Sequence, residues 1–481
     1  MKDDWVETSL ANACEILDNL RKPINSKERA RRIQGKDENE LYPYYGATGQ
    51  VGLIDDYLTD GEFVLIGEDG APFLDYSKNV AYKINGKTWV NNHAHILKSY
   101  FNNDFLLHFL NQIQYKDFVT GTTRLKLTQG ALKRIPTKIA PLPIQRAIVS
   151  KIENLFASLD KGIADLKKAQ QQLKIYRQAV LKKAFEGELT KEWREQQTNL
   201  HTADELLEQI KEEQNKWLES EILNGNNEAK RIKSKIKKST FKSSTKRLPE
   251  KWGWTTFIHA CLFVIDCHNK TAPYEEEGIY LVRTTNIRDG NLDLVNKIKY
   301  VSEDTYRFWS RRAFPKSGDI IFTREAPMGE AAIIPKDTKI CLGQRTMLLR
   351  TIPFLLENKY LLYNILSEIF QQRMRDGAIG TGVKHLRVGD VENLSFPLCS
   401  VQEQHQIVRE IESRLSVCDK IEQSIKESLE KSEALRQSIL KKAFEGKLLS
   451  EDEIEGCKKE GDYEPAGILL ERIKKEKPAK S

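Results

Sequence analysis

The sequence predicts a mixed α+β protein with two globular domains joined by two long antiparallel coiled-coil helices, arranged as a pseudo-twofold internal repeat. Residues 175–189 match residues 434–448 at ten of fifteen positions. Around each match, apolar residues recur every three or four positions, which is the spacing of a helix face. About 140 residues of short apolar runs and Gly, Asn and Asp turns precede each of these segments. These observations together indicate an internal duplication.

Composition limits the class of protein. A chain of 481 residues is too long for one ordinary core, so two to four domains are expected. The absence of apolar runs near ~18 residues argues against a membrane span, and the acidic N-terminus argues against a secretory signal. The seven cysteines are scattered and form no CxxC pair. We therefore expect free thiols in a reducing cytoplasm and no zinc site.

The net charge of +7 is concentrated in one segment. Lys230 to Arg247 contains nine Lys or Arg and no acid, so the rest of the chain is close to neutral. This basic run could contact phosphates, because each neutralised phosphate strengthens DNA binding through counterion release. Its Ser and Thr content and its apparent lack of apolar periodicity favour a solvated linker.

The repeat extends well beyond the best-matched segment. An offset of 259 residues aligns about seventy residues without a gap, and it pairs Gln145 with Gln404 and Asp160 with Asp419. A second, shorter repeat relates residues 203–211 to residues 466–474.

Each repeated segment is predicted to be a helix of about 38 residues, roughly 57 Å long at ~1.5 Å per residue. The prolines before the helices (Pro141, Pro143 and Pro397) and the glycines after them (Gly187 and Gly446) fit helix ends. Each helix could be a core helix of its own domain, but its length favours a paired coiled coil. The predicted apolar stripes occupy positions 148, 152, 155, 159, 163, 166, 169, 173, 176 and 180 in the first helix, and Ile407, Ile411, Cys418, Ile421, Ile425, Leu429, Leu435 and Ile439 in the second.

The globular domains, called head 1 (residues 1–140) and head 2 (residues 248–399), resemble each other less than the helices do. Strands are predicted at 62–66 and 318–322, and helices at 105–115 and 360–374. The remaining segments are predicted to be long helix 1 (141–190), a linker with a short helix and the basic run (191–247), long helix 2 (400–450) and a C-terminal tail with a short helix (451–481).

Two sets of residues characterise this organisation. The first set marks the helices, with Lys-Lys-Ala-Phe-Glu-Gly at 182–187 and 441–446 and the helix starts at 141–145 and 397–404. The second set lies in the heads, at 44–49, 67–70, 90–95, 283–286 and 318–324. With these residues the chain resembles the specificity subunits of type I restriction–modification systems, and the resemblance covers essentially the whole chain. One difference is that the second helix start has an acid, Glu403, where the first has Ile144.

The resemblance implies that each head is a target-recognition domain that reads one half of a bipartite site in double-stranded DNA, with the helices setting the spacer. It also implies docking of two methyltransferase subunits and of restriction or motor subunits, which would carry S-adenosylmethionine, ATP and Mg²⁺, while this chain carries no cofactor. Exposed lysines at the helix ends (Lys182, Lys183, Lys441 and Lys442) are candidates for partner contacts.

Base reading requires side chains with paired donors and acceptors. In head 1 we expect these on loops at Tyr45, Thr48, Glu68, Asp69, Asn92, His93, His95, Arg124 and Lys126. In head 2 we expect them at Arg283, Thr285, Asn286, Arg324, Glu325, Gln344, Arg345, Lys384 and His385. Any one of these could instead be an ordinary solvated or turn-stabilising residue. Thr48 is notable because flanking glycines allow close backbone approach.

Motifs for catalysis are not found in the sequence. We find no glycine loop for S-adenosylmethionine, no Asn/Asp-Pro-Pro-aromatic motif, no HExxH and no GxSxG. The sequence therefore favours a non-catalytic DNA-recognition subunit. A coiled-coil scaffold with two protein- or peptide-binding heads is the alternative.

Overall fold

The structure is a computed structural model, and it describes residues 4–239, 247–380 and 384–477. The chain divides into two compact units. Unit 1 comprises Met1–Lys168 and Ser424–Ser481, and unit 2 comprises Ala169–Gln423. Unit 1 contains head 1 and unit 2 contains head 2, and the division falls within each long helix.

Head 1 is built around two small sheets. Its elements are β1 (Val6–Ser9), α1 (Leu10–Ala13), β2 (Cys14–Ile16), α2 (Ser26–Ile33), β3 (Tyr42–Gly46), β4 (Gly49–Ile54), β5 (Phe63–Gly67), β6 (Ala81–Ile84), β7 (Trp89–Val90), β8 (Ala94–Ser99), α3 (Asn103–Asn111), α4 (Gln129–Lys133) and β9 (Pro136–Ile139). One sheet has the order β2-β8-β5-β6, and the other has the order β4-β3-β7 with β3 and β7 parallel. Strand β1 pairs with β9.

The first long helix and three shorter helices follow. They are α5 (Leu142–Phe185), α6 (Lys191–Glu195), α7 (Ala203–Leu223) and α8 (Asn227–Lys238). The basic run was expected to be a linker, and that expectation is wrong for residues 230–238, which lie in α8. Ala229 and Ile232 are buried in the core of unit 2 and Ile236 packs beside them, so an apolar stripe is present between the lysines. Residues 240–246 of the run lie outside the described residues.

Head 2 repeats the strand topology of head 1 and adds the two-stranded sheet β13-β14. Its elements are β10 (Gly253–Thr256), α9 (Phe257–Ala260), β11 (Phe263–Asp266), β12 (Ile279–Val282), β13 (Ile287–Arg288), β14 (Asn291–Leu292), β15 (Lys299–Val301), α10 (Glu303–Trp309), β16 (Ile320–Arg324), β17 (Met328–Ile333), β18 (Ile340–Leu342), β19 (Thr346–Arg350), α11 (Asn358–Leu366), α12 (Glu368–Asp376), α13 (Val388–Glu392) and β20 (Ser395–Leu398). The sheet β11-β19-β16-β17 corresponds to β2-β8-β5-β6, and the parallel pair β12·β18 corresponds to β3·β7. The heads therefore share a scaffold despite their different sequences.

The chain ends with α14 (Val401–Phe444), α15 (Glu451–Lys458) and α16 (Ala466–Glu476). Helix α16 buries Leu469, Leu470 and Ile473 in the core of unit 1, as α7 contributes to the core of unit 2. The sequence similarity between α7 and α16 has a structural reason. Gln214 on α7 donates to the carbonyl oxygen of Cys261 at 2.7 Å, and Lys477 just after α16 donates to that of Cys14 at 2.7 Å.

The repeated Lys-Lys-Ala-Phe-Glu-Gly motif fixes the end of each long helix against a head. Phe444 packs edge-on against Phe105 at 5.0 Å between ring centroids in unit 1. Phe185 packs against Tyr360 at 5.3 Å in unit 2. The helices then stop as predicted, because Gly187 and Gly446 both adopt positive φ angles, +77° and +71°.

A buried glutamine fixes the start of each long helix. Gln145 donates to the carbonyl oxygen of Ala140 at 2.7 Å and accepts from the Asn102 backbone N–H at 3.1 Å. Gln404 donates to the carbonyl oxygen of Cys399 at 3.0 Å and accepts from the Glu357 backbone N–H at 2.9 Å. Each glutamine thus ties the long helix to the N-terminus of a helix in its own head.

The long helices are antiparallel partners within each unit. In unit 2, Arg177 donates to Asp419 at 2.6 Å and to Glu422 at 3.1 Å. In unit 1, the residues related by the 259-residue offset, Arg436 and Asp160, form the same ion pair. The predicted stripes are wrong at four positions, where the side chains are 37–51% exposed: Leu155, Tyr176, Ile421 and Leu435. Other stripe positions are buried, including Cys418 and Ile425 near the middle of α14. Packing against the heads, rather than a continuous seam, buries the helix ends.

Candidate nucleic-acid interface

In head 1 the candidate residues gather where β3, β5 and β7 end. The turn after β3 lies directly against β5, since a Cβ added at Gly67 would come within 2.9 Å of the Ala47 carbonyl oxygen. The turn before β8 is tied to the same place, because the Glu68 backbone N–H donates to the His93 carbonyl oxygen at 2.7 Å. Thr48 and Asn92 are exposed at this edge. Sequentially distant loops therefore form one surface.

Asp69 is the centre of the exposed part of this surface. Its carboxylate lies 2.5 Å from Nδ1 of His93 and accepts from Arg124 at 3.0 Å. A bridge between Asp69 and Lys126 brings in the segment that precedes α4. Beside it, Tyr45 stacks on Tyr82 at 5.9 Å between ring centroids.

A buried charge cluster lies under this surface. Nδ1 of His95 is 2.7 Å from Asp18, and Nε2 of His95 is 2.8 Å from the Leu127 carbonyl oxygen. Both ring nitrogens therefore face an oxygen that can accept a hydrogen bond. Arg21 bridges Asp18 (3.0 Å) and Glu68 (2.5 Å), while Lys126 contacts Glu68 at 3.0 Å.

The charges set the ionisation of the two acids. Burial raises the pKa of Asp18, but hydrogen bonds from His95 and Gln129 and the charge of Arg21 leave it below the usual range. Burial also raises the pKa of Glu68, but Arg21 and Lys126 lower it overall. Both carboxylates are therefore charged at neutral pH and hold the cations in place.

In head 2 the candidate residues meet in a comparable cleft. A cavity of about 160 Å³ is lined by Arg283, Thr285, Gln344 and Arg345, among others. Arg345 lies 3.3 Å from Glu325. The Nε atoms of Arg283 and Arg324 have no acceptor among the residues that the structure describes.

Head 2 also has a half-buried acid, Asp266, at the end of β11. Burial raises the pKa of Asp266, although the charges of Arg312 and Arg324 act in the opposite direction. Within residues 4–239, 247–380 and 384–477, no group of three or more His, Cys, Asp or Glu is arranged to hold a metal ion.

Comparison with known proteins identifies the family. The model of the type I restriction modification DNA specificity domain matches residues 2–168 and again residues 266–431, together more than half of the chain. The chain belongs to this family. Each match covers most of one head and the beginning of the long helix that follows it.

Curated relatives agree with this result. The type I restriction enzyme EcoBI specificity subunit of Escherichia coli is 26% identical over 367 residues, covering 75% of this chain and 68% of that protein. The EcoDI specificity subunit of Escherichia coli is 24% identical over 447 residues, covering 92% and 90%. The family and these relatives support the DNA-specificity interpretation and not the scaffold alternative.

Solved structures show that the fold is shared. A chain from a structure of a type I R-M system aligns with a TM-score of 0.59 and 16% identity, covering 93% of this chain and 99% of that one. The HsdS subunit from Thermoanaerobacter tengcongensis aligns with a TM-score of 0.50 and 16% identity, covering 93% and 98%.

Two of the residues predicted to read DNA, His95 and Asn286, are buried and have structural roles instead. His95 is completely buried, so its side chain has no surface for DNA and instead supports Asp18 and Glu68. Asn286 is 2% exposed; its side chain accepts from the Arg283 backbone and donates to the Asp293 carbonyl oxygen. Both residues position the loops around them. Lys384 is exposed, and His385 forms a bridge with Glu325.

The structure adds residues that the sequence analysis missed. Arg29 on α2 lies 4.8 Å from the Tyr44 ring and lines a cavity of about 420 Å³ with Asn92 and His93. Arg21 joins the buried cluster, as described above. The signal for Arg29 was the basic helix 26–33, which begins at an Asn cap and contains three arginines. Arg21 and Asp18 gave no comparable signal, because only the tertiary fold brings them to His95.

Proposed function

We propose that the chain is the DNA sequence-specificity subunit of a type I restriction–modification complex, in which each head reads one half of a bipartite double-stranded target. The observation that supports this most directly is the repetition of one cleft on two scaffolds. Asp69–His93 in head 1 and Glu325–Arg345 in head 2 are acid–base pairs in corresponding loops. Different side chains around a common framework fit two readers of different sequences.

Direct reading is the chemistry that these clefts support. Arginine donates two hydrogen bonds to guanine, and asparagine or glutamine pairs with adenine, each discriminating by about 1–3 kcal/mol. Head 2 has Arg283, Gln344 and Arg345 around one cavity. Head 1 has Asn92, Arg124 and Lys126 at its edge.

The long helices are proposed to set the spacer and to dock two methyltransferase subunits, with restriction or motor subunits joining the complex. The exposure of Lys182, Lys183, Lys441 and Lys442 beside the buried Ala-Phe pairs supports an outward partner surface. S-adenosylmethionine, ATP and Mg²⁺ are proposed to bind the partner subunits. We place the complex in the cytoplasm, since all seven cysteines are free. None of the described helices is long and apolar enough to cross a membrane.

Selection from a random duplex pool tests the proposal. The chain, assembled with its methyltransferase subunits, should enrich one bipartite sequence at physiological salt. A chain with head 1 exchanged for that of a relative should enrich a sequence altered in one half. Equal retention of all duplexes contradicts DNA reading, and a change in both halves contradicts two independent heads.

A further inference from the structure

Glu68 and Arg324 occupy the same position on the two scaffolds. The Glu68 backbone N–H donates to the His93 carbonyl oxygen, and its own carbonyl oxygen accepts from Leu127, both at 2.7 Å. The Arg324 backbone N–H donates to the Arg345 carbonyl oxygen, and its carbonyl oxygen accepts from Leu386, both at 3.0 Å. One framework position therefore carries opposite charges in the two heads.

The residues beneath this position also correspond. Strand register pairs Ile66 with His95 in head 1 and Phe322 with Met347 in head 2. Both His95 and Met347 are fully buried.

An aspartate faces each of these buried residues. Asp266 is the strand partner of Met347. In head 1, continuing the register of β2 and β8 places Asp18 opposite His95, and the two side chains are hydrogen-bonded at 2.7 Å. The two heads therefore share an aspartate at this position and differ in the residue next to it.

The two heads surround that acid with different residues. In head 1 the imidazole of His95 is 2.7 Å from Asp18 and 3.9 Å from Glu68, and it lowers the pKa of both acids. In head 2 Met347 is uncharged, and Asp266 lies in the field of Arg312 and Arg324 instead. An arginine at position 68 would replace the carboxylate that lies 3.9 Å from the His95 imidazole with a guanidinium. A glutamate at position 324 would lie near Asp266 without a histidine between them.

We infer that Glu68 and Arg324 are matched specificity-determining positions, each coupled to the buried residue beneath it, so that recognition of a half-site depends on the pairs Glu68–His95 and Arg324–Met347. His95 and Met347 are positioning residues, because they act through the residue above. Glu68 contacts the exposed Lys126 at 3.0 Å. Arg324 itself carries donors at the corresponding position, and one of its terminal nitrogens donates to the Leu386 carbonyl oxygen at 3.3 Å. This inference rests on the proposed function.

Exchanging one pair for the other tests the coupling. Three variants of the full chain are compared, with Glu68→Arg, with His95→Met and with both substitutions. Each variant is assembled with its methyltransferase subunits and used to select DNA from a pool of duplexes randomised in the half-site of head 1. Glu68→Arg alone should weaken selection at least tenfold. The double variant should recover binding and favour guanine at one base pair by roughly tenfold, which corresponds to a good bidentate contact. The half-site of head 2 should stay unchanged.

Control variants separate the possible outcomes. Asp60→Arg is the matched control. It makes the same change of charge but lies before the start of β5, whereas Glu68 lies directly after its end. It should therefore leave selection unaltered. If Glu68→Arg does not fold, Glu68→Gln keeps the shape and should reduce discrimination at one base pair roughly tenfold. Additive effects of the two substitutions, or an unchanged half-site in the double variant or in Glu68→Gln, overturn the inference. Loss of any bipartite selection by the unmodified chain would instead overturn the proposed function.

Discussion

Replacing Glu403 with isoleucine gives unit 2 the residue that unit 1 has at the corresponding position, Ile144. Glu403 is only 1% exposed. Its carboxylate accepts from Arg194 at 2.6 Å, from Thr190 at 2.8 Å and from the Trp252 indole N–H at 2.9 Å. The substitution therefore removes the shared acceptor of three donors at the start of α14.

The expected cost follows from the burial of the donors. Breaking a buried ion pair by removing one partner costs about 3–5 kcal/mol, because the other charge stays buried. The side chain of Arg194 is only 16% exposed, so this value applies to it. The indole of Trp252 adds less, since Trp5 in unit 1 has no hydrogen-bond partner for its Nε1 among the described residues. We expect unit 2 to lose about 4 kcal/mol of its free energy of unfolding.

Hydrogen exchange measured along a denaturant series is the suitable assay, because the two units need not unfold together. Protection of peptides from head 2 should fall, while that of head 1 peptides should not. Arg194→Met added to Glu403→Ile should restore more than half of the loss, since an apolar pair leaves no buried charge. Ile144→Val is the matched control and should cost unit 1 about 1 kcal/mol. A loss below about 1 kcal/mol for Glu403→Ile would refute the reasoning.

Arg436→Glu breaks the ion pair with Asp160 and should lower the free energy of unfolding by about 0.5–1 kcal/mol, because both side chains are partly exposed. Adding Asp160→Arg should restore the stability measured by thermal denaturation. Absence of this recovery would contradict the ion pair. Deleting residues 161–167 together with 429–435 shortens both long helices by about 10 Å, so selected duplexes should lose about three base pairs of spacer and keep both half-sites. Asp18→Asn should destabilise head 1 at pH 7. Folding lowers the pKa of Asp18, so the stabilisation by its carboxylate is fully present above the unfolded pKa of about 4 and is lost as pH falls through the folded pKa. Urea unfolding should therefore show that the difference in stability between the unmodified chain and Asp18→Asn shrinks towards pH 3.

The repeated helices could be predicted from the sequence because their signals are local. Apolar spacing and the glycine stops are properties of neighbouring residues, and α5 and α14 end at Phe185 and Phe444 as those signals indicate. The exposure of Leu155 and Leu435 could not be predicted in the same way. Periodicity identifies a helix face, but it does not show which stretches of that face meet a head.

The candidate site also contains residues that local sequence signals indicate and residues that only the tertiary fold brings together. Residues beside turn glycines, such as Thr48 and Asp69, could be proposed from the sequence because binding residues often occur on loops. His95 was included for its residue type, yet strand β8 directs it into the core. Asp18 and Arg21 were missed because they lie far from Glu68 in sequence, and only the sheet register brings them together.

Base-resolved mapping of methylated sites in host DNA tests the central claim most directly. Cells carrying this chain with its methyltransferase subunits should show one modified bipartite sequence, and exchanging head 1 for that of a relative should alter one half of that sequence and leave the other half intact. Methylation that stays the same after the exchange, or that changes in both halves, would contradict the claim that two separate heads read the two halves of the target.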